Sequence, residues 1–119
     1  MDKIKNNKQY DLEERTFEFA KNVRLFVKKL TKTIGNIEDS KQVIRSSGSI
    51  GANYIEANEV LSKKDFCMRI KISRKEAKES KYWLRLLDTD QELENERQML
   101  LKESDELMKI LSSIMRKSQ

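Results

Sequence analysis

The chain has no proline and no histidine, and only three glycines and one cysteine occur among its 119 residues. With so few turn residues it cannot supply the many tight connections of a β-sandwich, so the composition predicts an all-helical fold. Without histidine it lacks the Ser-His and Cys-His nucleophile pairs, the HExxH zinc helix and the Glu-x-x-His pattern of di-iron bundles. These absences exclude much of the enzyme repertoire, and the length suits a single domain.

The lone cysteine and the lack of a long apolar run bear on the compartment. Cys67 cannot form an internal disulfide or a zinc cluster, and a free thiol fits a reducing environment. The first ten residues are polar and basic, without the apolar segment of a signal peptide. No stretch approaches the roughly 18 apolar residues of a membrane span. We therefore expect a cytoplasmic protein with no membrane contact.

The spacing of apolar residues predicts four helices in one domain over residues 11–117, preceded by a disordered polar arm over residues 1–10. The first helix is expected to bury an apolar side made of Phe19, Val23, Phe26, Leu30 and Ile34. Asp11 is its expected N-cap, and Gly35-Asn36 its stop signal. Short connections between long helices favour an antiparallel, up-down four-helix bundle. The predicted helices cover residues 12–34, 38–61 and 64–87, and a fourth helix continues to about residue 115. The segment Asp88-Thr89-Asp90 is expected to end the third helix and to cap the fourth.

The second helix is ambiguous because residues 46–51, Ser-Ser-Gly-Ser-Ile-Gly, look locally like a loop. Each helical glycine would cost about 1 kcal/mol relative to alanine. If the segment is helical, one side is expected to be buried and carries Val43, Ser47, Ile50, Tyr54 and Leu61. A second side, here called the polar band, carries Gln42, Arg45, Ser46, Ser49, Asn53 and Glu56.

Two readings of the polar band remain open. The i, i+4, i+3 spacing lets neighbouring side chains touch, which favours a buried hydrogen-bond network that fixes helix register or lines a shared surface. The alternative is that the band simply faces water. Because no nucleophile and base pair lies within it, we predict no catalytic residue there.

The third helix has the clearest pattern, with Ser62 as its expected N-cap and Asp65 in the capping-box position. Its apolar and small residues form a seam through Phe66, Ile70, Ser73, Ala77, Ser80, Leu84 and Leu87. Almost opposite lies a set that we call the basic face: Lys64, Lys71, Lys75, Lys78, Tyr82 and Arg85.

A row of cations with one aromatic residue is typical of a surface that binds a nucleic-acid backbone, since each cation releases counterions from a phosphate. The alternative is a solvated face that keeps the protein soluble, and it is favoured by Glu76 and Glu79, which flank the row.

A third group of residues on this helix, which we call the apolar flank, consists of Ile72, Trp83 and Leu86. It lies away from both the seam and the basic face. We expect a subunit contact there rather than a wider core.

Other candidate chemistry is weakly supported by the residues. The Ser/Gly patch is not a phosphate-binding loop, because no Gly-Lys-Ser/Thr follows it. Glu92 and Glu96 could hold a hard cation, but exposed acids beside Lys or Arg are far commoner. We predict a half-buried, inert Cys67 thiol, no cofactor and no metal.

One longer pattern resembles a known family. It consists of Gln42-x-x-Arg45-x-x-x-Ser49-Ile50-x-Ala52-Asn53-x-x-Glu56, then Lys64-Asp65-Phe66 and Glu79-x-x-x-Trp83-Leu84. Over residues 12–111 the chain is similar to the bacterial four-helix bundle family that includes proteins encoded in intervening sequences of large-subunit ribosomal RNA genes.

The resemblance implies a left-handed antiparallel bundle that assembles into a ring, typically a homopentamer, without enzymatic activity. It also implies that the second helix is continuous through the Ser/Gly patch. A related branch, the accessory proteins of diversity-generating retroelements, uses a basic pentamer surface to engage nucleic acid and a reverse transcriptase.

Residues and resemblance together predict a non-catalytic oligomeric scaffold or adaptor that binds RNA or DNA through the basic face. In a homo-oligomer, several copies of a modest basic face act together, which raises the total affinity. One alternative is a purely protein-binding adaptor that holds a partner on the apolar flank. A second, weaker alternative is a helical enzyme that uses carboxylates and a metal.

Overall fold

The structure, a computed structural model, describes the backbone of residues 2–119 and the side chains of residues 11–119. Within this range it contains no β-strand, which confirms the predicted all-α bundle. The backbone of residues 2–10, which were predicted to belong to a disordered arm, is helical and forms the start of α1, whereas the side chains of residues 1–10 lie outside those described. The four helices are α1 (Asp2–Val27), α2 (Ile34–Glu59), α3 (Lys63–Leu86) and α4 (Gln91–Ser118).

The link between α1 and α2 differs from the prediction at both ends. Asp11 lies inside α1 and is not its N-cap, and α1 ends at Val27 instead of continuing to residue 34. Gly35 does not stop a helix but lies in the first turn of α2. The reason is a cap that the periodicity did not show: the Thr33 hydroxyl accepts a hydrogen bond from the backbone nitrogen of Asn36 at 3.1 Å.

Two residues predicted to be buried are consequently exposed. Ile34 begins α2 at the surface with 85% of its area exposed, because the helix of which it was expected to be the last core residue has already ended. Leu61 is fully exposed because α2 ends at Glu59 and leaves Leu61 in the α2–α3 link. The other residues of both predicted core sides are buried: Phe19, Val23, Phe26, Leu30, Val43, Ser47, Ile50 and Tyr54.

Helix α2 continues without a break through the Ser/Gly patch, as the family resemblance implies. Close packing against α1 explains the glycine at position 51. A Cβ atom at Gly51 would lie 2.7 Å from the Oγ1 atom and 3.2 Å from the Cβ atom of Thr16. Glycine therefore permits a helix contact that a larger residue would obstruct, and this contact offsets the low helix propensity of glycine.

Helices α3 and α4 begin where the capping residues predict. The Ser62 side chain accepts a hydrogen bond from the Asp65 backbone nitrogen at 3.0 Å, and the Asp90 side chain accepts one from the Leu93 backbone nitrogen at 3.1 Å. At the other end of α3, the Arg97 guanidinium donates to the carbonyl oxygens of Leu84, Arg85 and Leu87. A side chain of α4 thus satisfies carbonyl groups that the end of α3 leaves free.

Buried Asn36 joins the start of α2 to the α3–α4 link. Its Nδ2 atom donates to the carbonyl oxygens of Thr31 at 2.9 Å and Asp88 at 3.0 Å. Its Oδ1 atom accepts a hydrogen bond from the backbone nitrogen of Asp88 at 2.9 Å. One side chain therefore satisfies backbone groups from two different links.

Small polar residues form the seam between α2 and α3. The Oγ atoms of Ser46 and Ser80 are 2.8 Å apart, and the Ser73 hydroxyl donates to the Ile50 carbonyl at 2.7 Å. All three serines are fully buried, and their hydroxyls are hydrogen-bonded, so the helices approach closely without unpaired polar groups at these positions.

None of the helices, among the described residues, combines the length and the apolar character that crossing a membrane requires.

Candidate nucleic-acid interface

The structure places all six members of the basic face on the exposed side of α3. Their spacing of seven, four, three, four and three residues keeps them within one stripe of a helix with 3.6 residues per turn. From Lys64 to Arg85 the stripe extends about 32 Å at the usual rise of 1.5 Å per residue. A regular helix therefore holds five cations and one aromatic ring in a straight row.

Carboxylates neutralise little of this row. Among residues 11–119, the only ion pair of the basic face joins Lys75 Nζ to Glu76 Oε2 at 3.9 Å. Lysines elsewhere have closer partners: Lys29 lies 2.7 Å from Glu96, and Lys81, at the edge of α3 towards α4, lies 2.8 Å from Asp105. The positive charge of the row is therefore available to an anion in solution.

A shallow groove of about 600 Å³ runs beside the row. Arg74, which was not among the predicted site residues, also lines this groove, and its Nη1 atom lies 3.5 Å from the Ser112 hydroxyl of α4. It could have been found on the helical wheel, where it lies 60° from Lys71. The contribution of α4 to the groove could not have been found from the sequence, because only the packing of the helices places α4 beside this part of α3. The groove is lined by Lys71, Arg74, Lys75 and Lys78 with Met68, Ile72, Met108 and Ser112.

An aromatic pair lies towards the C-terminal end of the basic face. The ring centroids of Tyr82 and Trp83 are 5.1 Å apart, and the ring planes meet at 80°. Trp83 is half-buried and packs against the hydrophobic core, whereas 55% of Tyr82 is exposed. The tryptophan therefore supports one side of a tyrosine ring that still faces solvent.

The polar band makes most of its side-chain contacts with α3 and few within itself. Arg45 Nη2 lies 3.3 Å from Glu79 Oε1, and Arg69 Nη1 donates to Asn53 Oδ1 at 3.2 Å. Asn53 Nδ2 donates to the Ser49 carbonyl at 2.9 Å, which is the one hydrogen bond within the band among the described residues. Gln42 and Glu56 are exposed and not brought into this network, and Ser46 is buried against α3.

Glu76 occupies a position that sequence reasoning did not foresee. It was expected to flank the basic face, yet its side chain is only 8% exposed and points towards α2. Its Oε1 atom lies 3.5 Å from Arg45 Nη2 and has no hydrogen-bond partner among the described residues. Its Oε1 atom is thus turned towards the α2–α3 seam, and only its Oε2 atom contacts the lysine row, at 3.9 Å from Lys75 Nζ.

The apolar flank is only partly open to solvent. Leu86 is 47% exposed, while Ile72 and Trp83 are half-buried, and Trp83 contributes to its own bundle. The subunit contact predicted at this flank remains a prediction.

Cys67 is half-buried, as predicted, and its Sγ atom lies 3.6 Å from the Ser118 carbonyl oxygen.

Possible metal ligands are dispersed. Glu96 accepts a hydrogen bond from Lys29 at 2.7 Å, the kind of pairing with a lysine that is common for an exposed acid. Within the part of the chain that the structure describes, no three His, Cys, Asp or Glu side chains lie close enough to share a metal ion.

The family model of the 23S rRNA-intervening sequence protein matches residues 8–113, which is most of the chain. The protein belongs to the 23S rRNA-intervening sequence protein family. The resemblance inferred from the spacing of residues 42–56 is thereby confirmed.

A solved structure agrees with this assignment to the intervening-sequence family. It is the crystal structure of a protein with unknown function from the S23 ribosomal protein family of Bacteroides thetaiotaomicron VPI-5482. The two chains are 33% identical, with a TM-score of 0.79 over 92% of this chain and 98% of the other. No curated protein matched. Neither the intervening-sequence family nor this solved protein of unknown function indicates a catalytic class.

Proposed function

We propose that the protein is a non-catalytic, self-associating scaffold that binds RNA or DNA through the basic face of α3. The observation that carries this proposal is the row of exposed cations. Among residues 11–119, no carboxylate lies within ion-pairing distance of Lys64, Lys71, Lys78 or Arg85. Such cations can exchange solution counterions for phosphates, which releases the counterions bound to the nucleic acid.

The distribution of charge favours this function over a merely solvating surface. Residues 62–89 contain nine basic and four acidic residues, so this segment alone carries a net charge equal to the +5 of the whole chain. Elsewhere the bundle neutralises cations between helices, as in the 2.7 Å contact of Arg15 with Glu103. Concentrated charge on one helix creates a local field that net charge alone does not indicate.

Self-association is the second part of the proposal, and we expect the homopentamer that the family resemblance implies. The exposed Leu86 side chain, one helical turn from half-buried Trp83, supports a contact there. Several copies would present several basic faces to one nucleic-acid strand and raise the total affinity. We place this scaffold in the cytoplasm, because its single cysteine is a free thiol.

The test is binding to labelled RNA and DNA across a salt series, with the mass of the oligomer recorded in the same buffers. The logarithm of the binding constant should fall linearly with the logarithm of salt concentration. Lys71→Glu with Lys78→Glu should abolish binding and leave the mass unchanged. A matched control is Lys28→Glu with Lys32→Glu, because both lysines are exposed, lie in the α1–α2 link and change the net charge equally.

Each outcome has a definite meaning. Equal loss of binding in both double variants would show a response to net charge and would refute the assignment to α3. Absence of binding at low salt would leave the protein-binding adaptor. Loss of assembly in the Lys71/Lys78 variant would mean that these lysines serve a subunit interface.

The assembly itself needs a separate variant. Trp83→Ala should shift the protein towards smaller species, but Trp83 also packs against its own core. Leu86→Ala is the cleaner change because Leu86 is 47% exposed and does not belong to the hydrophobic core. A lower mass for Leu86→Ala, with unchanged helical content by circular dichroism, is the expected result. An unchanged mass for both variants would exclude the apolar flank from the interface.

A further inference from the structure

We infer that the basic face takes single-stranded rather than duplex nucleic acid, with unstacked bases lying on Tyr82 and on the apolar side chains of the groove. This inference rests on the proposed function and names its ligand more narrowly. Three features of the described residues support this inference. Apolar side chains lie between the lysines of the groove, the Tyr82 ring packs on Trp83 between two cations, and helices α2 and α4 flank α3 on both sides.

Apolar side chains lie between the cations of the groove. Met68 is 53% exposed, and half-buried Ile72 and Met108 line the same groove as Lys71 and Lys75. The outside of a duplex offers phosphates and sugars, which gain little from contact with thioether and aliphatic groups. A single strand exposes the faces of its bases, which do gain from such contact. The mixture of charge and apolar surface therefore matches the single strand.

Tyr82 is placed to stack a base between two phosphate contacts. It follows Lys78 by four residues and precedes Arg85 by three, so cations lie one turn away on either side along the stripe. Its ring is 55% exposed and is supported at 5.1 Å by Trp83, which the core holds in place. A ring whose position is already restricted loses little conformational entropy when a base stacks on it.

The surroundings of α3 argue against duplex recognition in a groove. A recognition helix must project from its domain to enter a major groove about 12 Å wide. Helix α3 is instead flanked on one side by α2, through Arg45 and Glu79, and on the other by α4, through Lys81 and Asp105. With neighbours at interaxial distances of about 8–10 Å on both sides, the surface is wider than that groove.

The experiment compares one labelled 20-nucleotide strand of mixed sequence, without self-complementarity, with its own duplex at equal salt. A purely electrostatic surface would favour the duplex, because the duplex has the higher charge density. We expect the wild-type protein to bind the single strand more tightly. A third ligand, the same backbone without bases, should bind more weakly than the intact strand.

Substitutions of aromatic residues distinguish the contribution of base stacking on Tyr82 from that of the positive charge. Tyr82→Ala should weaken single-strand binding about tenfold and duplex binding by a smaller factor, since stacking on an aromatic side chain contributes strongly to each contact with an unpaired base. Tyr82→Phe should retain the wild-type affinity. Phe17→Ala is the matched control, because Phe17 is an aromatic residue of α1 with a similar exposure of 58%. It should leave the affinity for every ligand unchanged.

Different results would refute the single-strand inference and the proposed function. Tighter binding of the duplex, or an unchanged single-strand affinity in Tyr82→Ala, would overturn the single-strand inference while nucleic-acid binding stood. Absence of binding to every ligand at low salt would overturn the proposed function itself. An equal loss in Phe17→Ala and Tyr82→Ala would also refute the assignment of the stacking site to Tyr82.

Discussion

Replacement of Gly51 by alanine tests the close contact between α1 and α2. The new Cβ atom would lie 2.7 Å from Thr16 Oγ1 and 3.2 Å from Thr16 Cβ. Thr16 cannot simply move away, because it is buried, β-branched and donates its hydroxyl hydrogen to the Glu13 carbonyl at 2.9 Å. The helices themselves must therefore separate slightly.

Two opposing contributions determine the size of the effect. Alanine is favoured over glycine inside a helix by about 1 kcal/mol. Forcing an extra methyl group into a packed contact destabilises a protein by about 1–3 kcal/mol. We therefore expect Gly51→Ala to lower the free energy of unfolding by up to about 2 kcal/mol, given these two magnitudes.

Gly48→Ala provides the matched control on the same helix. The nearest atom to a Cβ at Gly48 is Arg24 Nη2 at 3.5 Å, an ordinary contact with the end of a flexible side chain. Gly48→Ala should therefore stabilise the protein by up to about 1 kcal/mol. Urea unfolding followed by circular dichroism at one protein concentration measures both variants, since assembly would otherwise add to the apparent stability.

A double variant identifies Thr16 as the obstacle. In a Thr16→Ala background the Oγ1 atom is gone, so Gly51→Ala should lose most of its destabilising effect, with a coupling energy of about 1 kcal/mol or more. If Gly51→Ala stabilised the wild-type protein as much as Gly48→Ala does, the contact would be looser than described. The explanation of Gly51 by close helix packing would then be wrong.

Two further predictions concern the helix links. Asn36→Ala should lower the free energy of unfolding by about 2–3 kcal/mol in urea titrations, because backbone groups of Thr31 and Asp88 lose their buried partner; an effect below 0.5 kcal/mol would contradict it. Hydrogen bonds from Arg97, Thr89 and Gln98 lower the pKa of Glu94 from its ordinary 4.5 to about 2. Since the folded pKa is the lower one, Glu94 stabilises the protein above pH 4.5, and this contribution disappears as the pH falls to about 2. The stabilities of the wild-type protein and Glu94→Gln should therefore converge over that range in thermal unfolding, and a constant difference would contradict the prediction.

Local signals predicted the parts of the fold that depend on neighbours in sequence. Ser62 caps α3 as expected, because an N-cap needs only a hydroxyl and a backbone nitrogen three residues away. The α1–α2 link was predicted wrongly, because Gly35 looked like a stop signal and the Thr33 cap was overlooked. Leu30 is buried as expected even though α1 has ended before it, since burial follows the apolar spacing more closely than it follows helix boundaries.

The candidate site likewise has features that follow from the sequence and features that depend on how the helices pack. By itself the sequence determined the all-helical class, the family and the row from Lys64 to Arg85, because residues three and four apart on one helix share a face whatever packs behind it. Only the tertiary structure decided that Glu76 turns into the α2–α3 seam and that Met108 of α4 joins the lysine groove. These arrangements depend on contacts between helices distant in sequence, where side-chain shape and burial determine the neighbours and the period of a single helix does not.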